Sequence, residues 1–304
     1  RILALTIGSE EELKNPKFSN LIPSNINSGK YEVAYADGIF VACGGSAKAV
    51  YYSEDGKTWI SSGMANIVSA EYVNGIWIAG LSGTGYVTST TGKVWTSAVT
   101  TGIQHNSFRY ANGLWISGSS NGVYYSSDRE TWTKTDLPEA TYGDYIAYGN
   151  GVWLAYSNAD SYAYYSENGK NWYKTNLPKN FVWCFAYANG IWTAGCYGGG
   201  LYYSTDGKTW TISNVTSGTF VKPPIYMSSD RAWIACNSDE TDGGLYASVD
   251  GMDWSKSFEG DFSSVCEGDR YYILASYTSG LSALTYAGFK FLFAHSDSVV
   301  PNQV

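Results

Sequence analysis

The side chains best placed for chemistry in this 304-residue chain are carboxylates in a repeated setting. Asp55, Asp128, Asp206 and Asp250 each follow a Ser by two positions and precede a Trp by four. Paired carboxylates about 5–10 Å apart are what glycoside hydrolysis needs. Two further copies of the pattern exclude that role, because Thr91 and Asn168 stand where the others have Asp. A reacting carboxylate cannot be exchanged for a hydroxyl or an amide, but a turn staple can. The Ser and Asp oxygens are therefore read as acceptors for backbone N–H groups of a chain reversal. Asp144, Asp160 and Asp239 stand in variable segments, and no spacing pairs them.

Other chemistries find little support. Two histidines, His105 and His295, are too few for a multi-histidine metal site and suggest no Ser-His-Asp constellation. The five cysteines, Cys43, Cys184, Cys196, Cys236 and Cys266, lack C-x-x-C spacing and read as small core residues. The run Ser238-Asp239-Glu240-Thr241-Asp242 is rich in hard oxygen donors suited to Ca²⁺. It lacks alternating acids and reads as a solvated loop, so no metal and no cofactor is expected. No phosphate-cradling G-x-x-x-x-G-K-[ST] loop occurs.

The elements that carry these residues repeat. YYSEDGKTW ends at Trp59, and its relatives end at Trp95, Trp132, Trp172, Trp210 and Trp254, at intervals of 36, 37, 40, 38 and 44 residues. A second motif, of the form YANGIWIAG, alternates with the first, and eleven of the twelve tryptophans belong to one or the other. Asn-Gly or Asp-Gly between aliphatic and aromatic runs predicts a tight hairpin. Ser-x-Asp-Gly predicts a second reversal, so each period reads as four antiparallel strands, the blade of a β-propeller.

The expected fold is all-β, a seven-bladed β-propeller of four-stranded antiparallel blades. Six blades fall near 31–62, 67–98, 105–135, 143–175, 182–213 and 222–257. The seventh is degenerate in chemistry but keeps two hairpins, Ser263 to Ser276 and Leu281 to Ala294. The alternative is six blades plus a capping hairpin. Residues 1–30 lie outside the repeat and read as an N-terminal strap of a strand and a short helix, with the propeller domain covering 31–304.

Ser-x-Asp-Gly-x-Thr-Trp resembles the Asp box, or bacterial neuraminidase repeat, with one residue fewer between Asp and Gly. The resemblance covers residues 31 to about 257. It implies a sialidase-like propeller, of the kind found in bacteriophage tail and receptor-binding proteins and in bacterial surface proteins. Sialidases of that family grip their substrate with three arginines. Beyond Arg1 this chain has Arg109, Arg129, Arg231 and Arg270, and of these only Arg109 falls on an innermost strand. The expectation is thus a non-enzymatic adhesion propeller at an extracellular or virion surface. Its expected partners are a host cell-surface polysaccharide or other glycan and other subunits of a larger assembly. A secreted glycoside-processing enzyme and a scaffold for a protein partner are the alternatives.

Composition agrees with that partner class. A net charge of −8 disfavours nucleic acid. No apolar run is long enough to insert in a membrane. In a propeller the connections between blades and between second and third strands share one face, and their variety there can set specificity. Trp183 is the tryptophan outside both motifs, at the start of an innermost strand. The predicted ligand site gathers Trp183, Tyr142, Asp144, His105, Asn106 and Tyr197, aromatic faces for sugar rings and polar groups for hydroxyls.

Overall fold

The computed structural model describes residues 22–23, 31–44, 48–137, 146–157, 160–179, 182–220, 223–227, 232–239, 243–259, 262–267, 271–276 and 280–285. The Asn-Gly reversals form as their chemistry requires. Asn74 and Gly75 take φ of 51° and 78°, the double positive φ of a type I′ turn, whose twist matches the strands it joins. The strands so joined are Ile67–Val73 and Ile76–Leu81, paired antiparallel.

Reversals of the Ser-x-Asp-Gly kind follow the third strand of each of the six repeat blades. In the first, the Asp55 carboxylate accepts the N–H groups of Lys57 at 2.8 Å and Thr58 at 2.7 Å, and the Ser53 hydroxyl at 3.0 Å. The Ser53 oxygen in turn accepts the Gly56 N–H at 2.9 Å. The same bonds recur around Asp128, Asp206 and Asp250. Asn168 reproduces them with its amide oxygen. Thr91, with one short hydroxyl, reaches Lys93 at 3.3 Å and Val94 at 3.5 Å. Gly207 has φ of 73°, and a Cβ there would lie 3.0 Å from the indole nitrogen of Trp192. Glycine answers both demands.

Five sheets hold four consecutive strands in chain order. They run from Tyr31–Ala36 to Ile60–Ser61, Ser107–Ala111 to Thr133–Lys134, Ile146–Gly149 to Tyr173–Lys174, Val182–Ala188 to Thr211–Ile212, and Ile225–Met227 to Ser255–Glu259. The second blade has three strands and corrects the expectation of four. Its third strand, Tyr86–Ser89, exchanges backbone hydrogen bonds with Val99 at Tyr86. The chain then turns back, so that Ile103 accepts the Gly85 N–H at 2.8 Å, and no ladder forms in the fourth position.

The repeat builds six blades, as the alternative reading has it, and a sheet of another make comes after them. Phe262–Glu267, Tyr271–Ser276 and Gly280–Thr285 pair in order, and Ile22–Pro23 adds to the outer side of Gly280–Thr285. The last segment was expected to supply both its hairpins itself; the fourth strand here comes from the other end of the chain. Part of the expected strap is therefore sheet, and residues 286–294 lie outside the described residues. Phe262–Glu267 touches the sixth blade on one side and Tyr31–Ala36 of the first on the other, so the ring closes through this sheet.

The core is distributed along the seams between blades. One seam packs Leu154, Tyr156 and Ala163 of the fourth blade against Phe185, Trp192 and Trp210 of the fifth. The motif tryptophans occupy these seams: Trp59, Trp172, Trp210 and Trp254 are buried, and Trp95 and Trp132 partly so. Asn214 ties one seam further, accepting the Trp254 N–H at 2.8 Å and donating to its carbonyl at 2.9 Å. Cys43, Cys184, Cys196 and Cys236 are buried in the core.

Candidate functional site

The innermost strand of the fifth blade, Val182–Ala188, carries a bulge between Val182 and Cys184. A bulge leaves one residue out of the ladder and re-aims its side chain, and that residue is Trp183. The next residue anchors the backbone from behind, since the buried Cys184 thiol donates to the Phe220 carbonyl at 3.4 Å. The half-buried Trp183 ring lies 5.5 Å from that of Tyr197, centroid to centroid, with 31° between their planes.

Tyr197 follows the second strand, Ile191–Cys196, and is 56% exposed. Its turn is held by the connection beyond the fourth strand, where Val215 accepts the Leu201 N–H at 2.9 Å. A Cβ on Gly200 would meet the Val215 carbonyl oxygen at 2.1 Å, so the glycine admits this crossing. Two aromatic faces on one blade thus stand at the end where the connections between blades run.

The fourth blade adds charge on the same face. Asp160 accepts the Tyr164 hydroxyl at 2.5 Å and pairs with Lys174 at 2.9 Å. Burial alone would raise the Asp160 pKa, but the Tyr164 hydroxyl and the Lys174 ammonium hold it below the usual value. Burial and the same carboxylate push the Tyr164 phenol up. Lys174 Nζ stands 3.8 Å from the centre of the Tyr162 ring, and Lys179 Nζ stands 6.0 Å from it. Sequence reasoning missed Tyr162, Lys174 and Lys179, since a Tyr in the repeat and lysines in a chain of many acids carry no signal by themselves.

The structure brings Trp183 and Tyr197 together and separates His105 from them. His105 is fully buried, with Thr101 Oγ1 2.8 Å from one ring nitrogen and Ser117 Oγ 2.7 Å from the other. It stacks on Phe108 at 5.0 Å and packs against Tyr86 and Trp132. It is a core histidine of the seam between the second and third blades, and its pKa falls to about 4 through burial. Asn106 is partly buried and accepts the Gln104 amide at 3.0 Å. Tyr142 and Asp144 lie outside the described residues.

The two described arginines are committed elsewhere. Arg109 pairs with Glu71 across the inner strands of the second and third blades. Arg129 lies over the Trp115 ring at 5.2 Å. Arg231 and Arg270 fall outside the described residues, as do residues 240–242 of the acidic run. Among the described residues no three His, Cys, Asp or Glu side chains are grouped to hold a metal, and no helix is long and apolar enough to cross a membrane.

No family model matches the chain, and no curated protein does. Solved structures match over most of its length. One is the extracellular domain of the putative one component system BT4673 from B. thetaiotaomicron, with TM-score 0.70 and 11% identity over 89% of this chain and 40% of that one. Another is YCF48 bound to D1 peptide, with TM-score 0.67 and 13% identity over 90% and 96%. A third is virginiamycin B lyase from Staphylococcus aureus, with TM-score 0.67 and 9% identity over 87% and 98%. The chain is a β-propeller. At these identities the likeness is one of fold, and propellers of this shape serve unrelated tasks.

Proposed function

We propose that this propeller is a non-enzymatic adhesion module that recognises a cell-surface glycan through the loop face of its fifth blade. The Trp183–Tyr197 pair carries the reading: two tilted aromatic faces, one exposed and one lifted out of its ladder by a bulge. Sugar rings present apolar faces that such rings can cover, and hydroxyls that nearby polar groups can orient. The Ser-x-Asp-Gly turns resemble the Asp box of propellers in phage tail, receptor-binding and bacterial surface proteins. This supports a place in a larger assembly at an extracellular or virion surface. Asp160 is occupied by Lys174 and Tyr164, which argues against its use as a catalytic acid.

A second reading is that the same face takes a protein segment. It is favoured by the structural likeness to YCF48 bound to D1 peptide and to a propeller of the mitotic checkpoint complex. A glycan array on the purified chain, with hydrolysis products followed in parallel, tests the first reading. Trp183→Ala and Tyr197→Ala should each lower affinity about tenfold or more, as central aromatic anchors do. Unchanged glycan binding in both variants, or release of hydrolysed product, would sink the proposal.

A further inference from the structure

We propose that Tyr162, Lys174 and Lys179 form an anion subsite on the fourth blade, which takes the carboxylate of an acidic sugar whose ring rests on the aromatic pair of the fifth. The inference deepens the glycan reading and rests on it.

Tyr162 opens the third strand of the fourth blade, Tyr162–Ser166, at the end facing the loops. Lys174 ends the fourth strand, Tyr173–Lys174, at that same end. Lys179 lies in the connection that leads on to Trp183. Two ammonium groups therefore approach one phenol ring, at 3.8 and 6.0 Å from its centre. The ring's negative face attracts each of them. Lys174 is already paired with Asp160, so Lys179 is the ammonium group that would meet a ligand's carboxylate beside the ring.

The protein's own carboxylate does not pair with both. Asp160 Oδ2 takes Lys174 and the Tyr164 hydroxyl, and Oδ1 takes the Tyr162 N–H at 3.3 Å. Among the described residues no carboxylate lies within ion-pair distance of Lys179, which is exposed. In a chain of net charge −8 two cations converging on one ring go against the general field. Lysine presents a compact charge that pairs with any carboxylate without demanding a fixed plane. The aromatic pair on the adjacent blade favours a sugar over a peptide as the carrier of that carboxylate.

The test is calorimetric titration of the intact chain with a panel of uronic-acid oligosaccharides, each beside its counterpart with the carboxyl reduced to an alcohol. At least one acidic oligosaccharide should bind about tenfold more tightly than its reduced form, the worth of one charge-assisted hydrogen bond. The gap should shrink as salt rises. Lys179→Ala should bring the acidic form down to the level of the reduced one, Lys179→Arg should restore it, and Trp183→Ala should weaken both forms alike. Equal binding of acidic and reduced forms, both weakened by Trp183→Ala, would overturn the subsite and leave the glycan reading standing. Failure of every oligosaccharide would remove both. Lys179-dependent binding of a polyglutamate peptide, with no acidic sugar bound, would overturn the proposal in favour of a protein partner.

Discussion

Asn176 of the fourth blade holds both backbone groups of Trp210 in the fifth, accepting its N–H at 2.6 Å and donating to its carbonyl at 3.3 Å. Asn214 does the same to Trp254, and Asp136 accepts the Trp172 N–H at 2.9 Å. Each clamp joins the connection leaving one blade to the tryptophan that closes the next. The blades are thereby fastened at the rim by directional bonds as well as along the seams by apolar contact.

Asn176→Ala removes two inter-blade hydrogen bonds and should cost about 1–2 kcal/mol, which thermal unfolding would show as a drop of a few degrees. Asn176→Asp keeps the acceptor and loses the donor, the arrangement Asp136 already uses, so it should fall between the wild type and Asn176→Ala. Equal melting temperatures for all three proteins would mean that the clamp contributes nothing.

Asp206 supplies the acceptor for the Ser204 hydroxyl and the N–H groups of Lys208 and Thr209. Asp206→Ala should destabilise by about 1–3 kcal/mol, and Asp206→Asn by much less, because Asn168 performs the same task one blade earlier. Burial works to raise the Asp206 pKa, but the N–H groups of Thr209 and Lys208 outweigh it and hold the value below the ordinary one. Its contribution is therefore present above the ordinary carboxylate pKa and is lost as pH falls through the lowered one. Denaturation of Asp206→Ala and Asp206→Asn at neutral pH checks the first statement, and an acid titration of the wild type checks the second.

Gly207→Ala adds a methyl group 3.0 Å from the Trp192 indole nitrogen at φ of 73°. The loss should be about 1–3 kcal/mol, more than a left-handed alanine alone costs. Arg129 occupies the equivalent place in the third blade at φ of 68°, so Arg129→Gly should relieve backbone strain of about 1 kcal/mol there. Losing its guanidinium from the Trp115 face offsets part of that gain. Parallel melting curves for Gly207→Ala and Arg129→Gly would show whether the two shifts differ in sign, as expected.

His105 gives the fold a distinct response to acid. The folded chain holds the ring neutral down to about pH 4, whereas the ordinary value is 6.5. The unfolded chain thus takes up the proton first. The stabilisation is full above pH 6.5 and is lost as pH falls from 6.5 toward 4. By linkage it amounts to about 3 kcal/mol. Stability measured every half unit across that window should slope for the wild type and flatten for His105→Gln. Parallel curves would show that another group carries the slope.

Much of this architecture was legible because it repeats. Asn74-Gly75 and its relatives specify their turns through two positive φ values, and Ser53, Asp55 and Gly56 specify theirs through short local bonds. Local chemistry of that kind is visible in a few residues. The missing fourth strand of the second blade was not, since an edge strand there depends on backbone pairing with Tyr86–Ser89 and has no apolar alternation to mark it. The burial of His105 was hidden for a similar reason: its neighbours Phe108, Trp132 and Tyr86 come together only when two blades meet. Trp183 stood out as an unpatterned tryptophan, and Tyr197 as a tyrosine among glycines. The bulge that sets Trp183 beside Tyr197 depends on pairing with Ile191–Cys196, and no residue type announces it.

The sheet that joins Ile22–Pro23 to Gly280–Thr285 has a consequence for the order of events during synthesis. Its pairing of Ile22 with Ala283 spans about 260 residues, a separation that makes loop closure slow and late. The early blades can collapse on one another as they leave the ribosome, because each seam needs only its neighbour. The short first strand must wait, unsheltered, until its acceptor has emerged. A nascent chain stalled before residue 285 would hold an open horseshoe, vulnerable at both lips to proteases and to chaperones that bind strand edges.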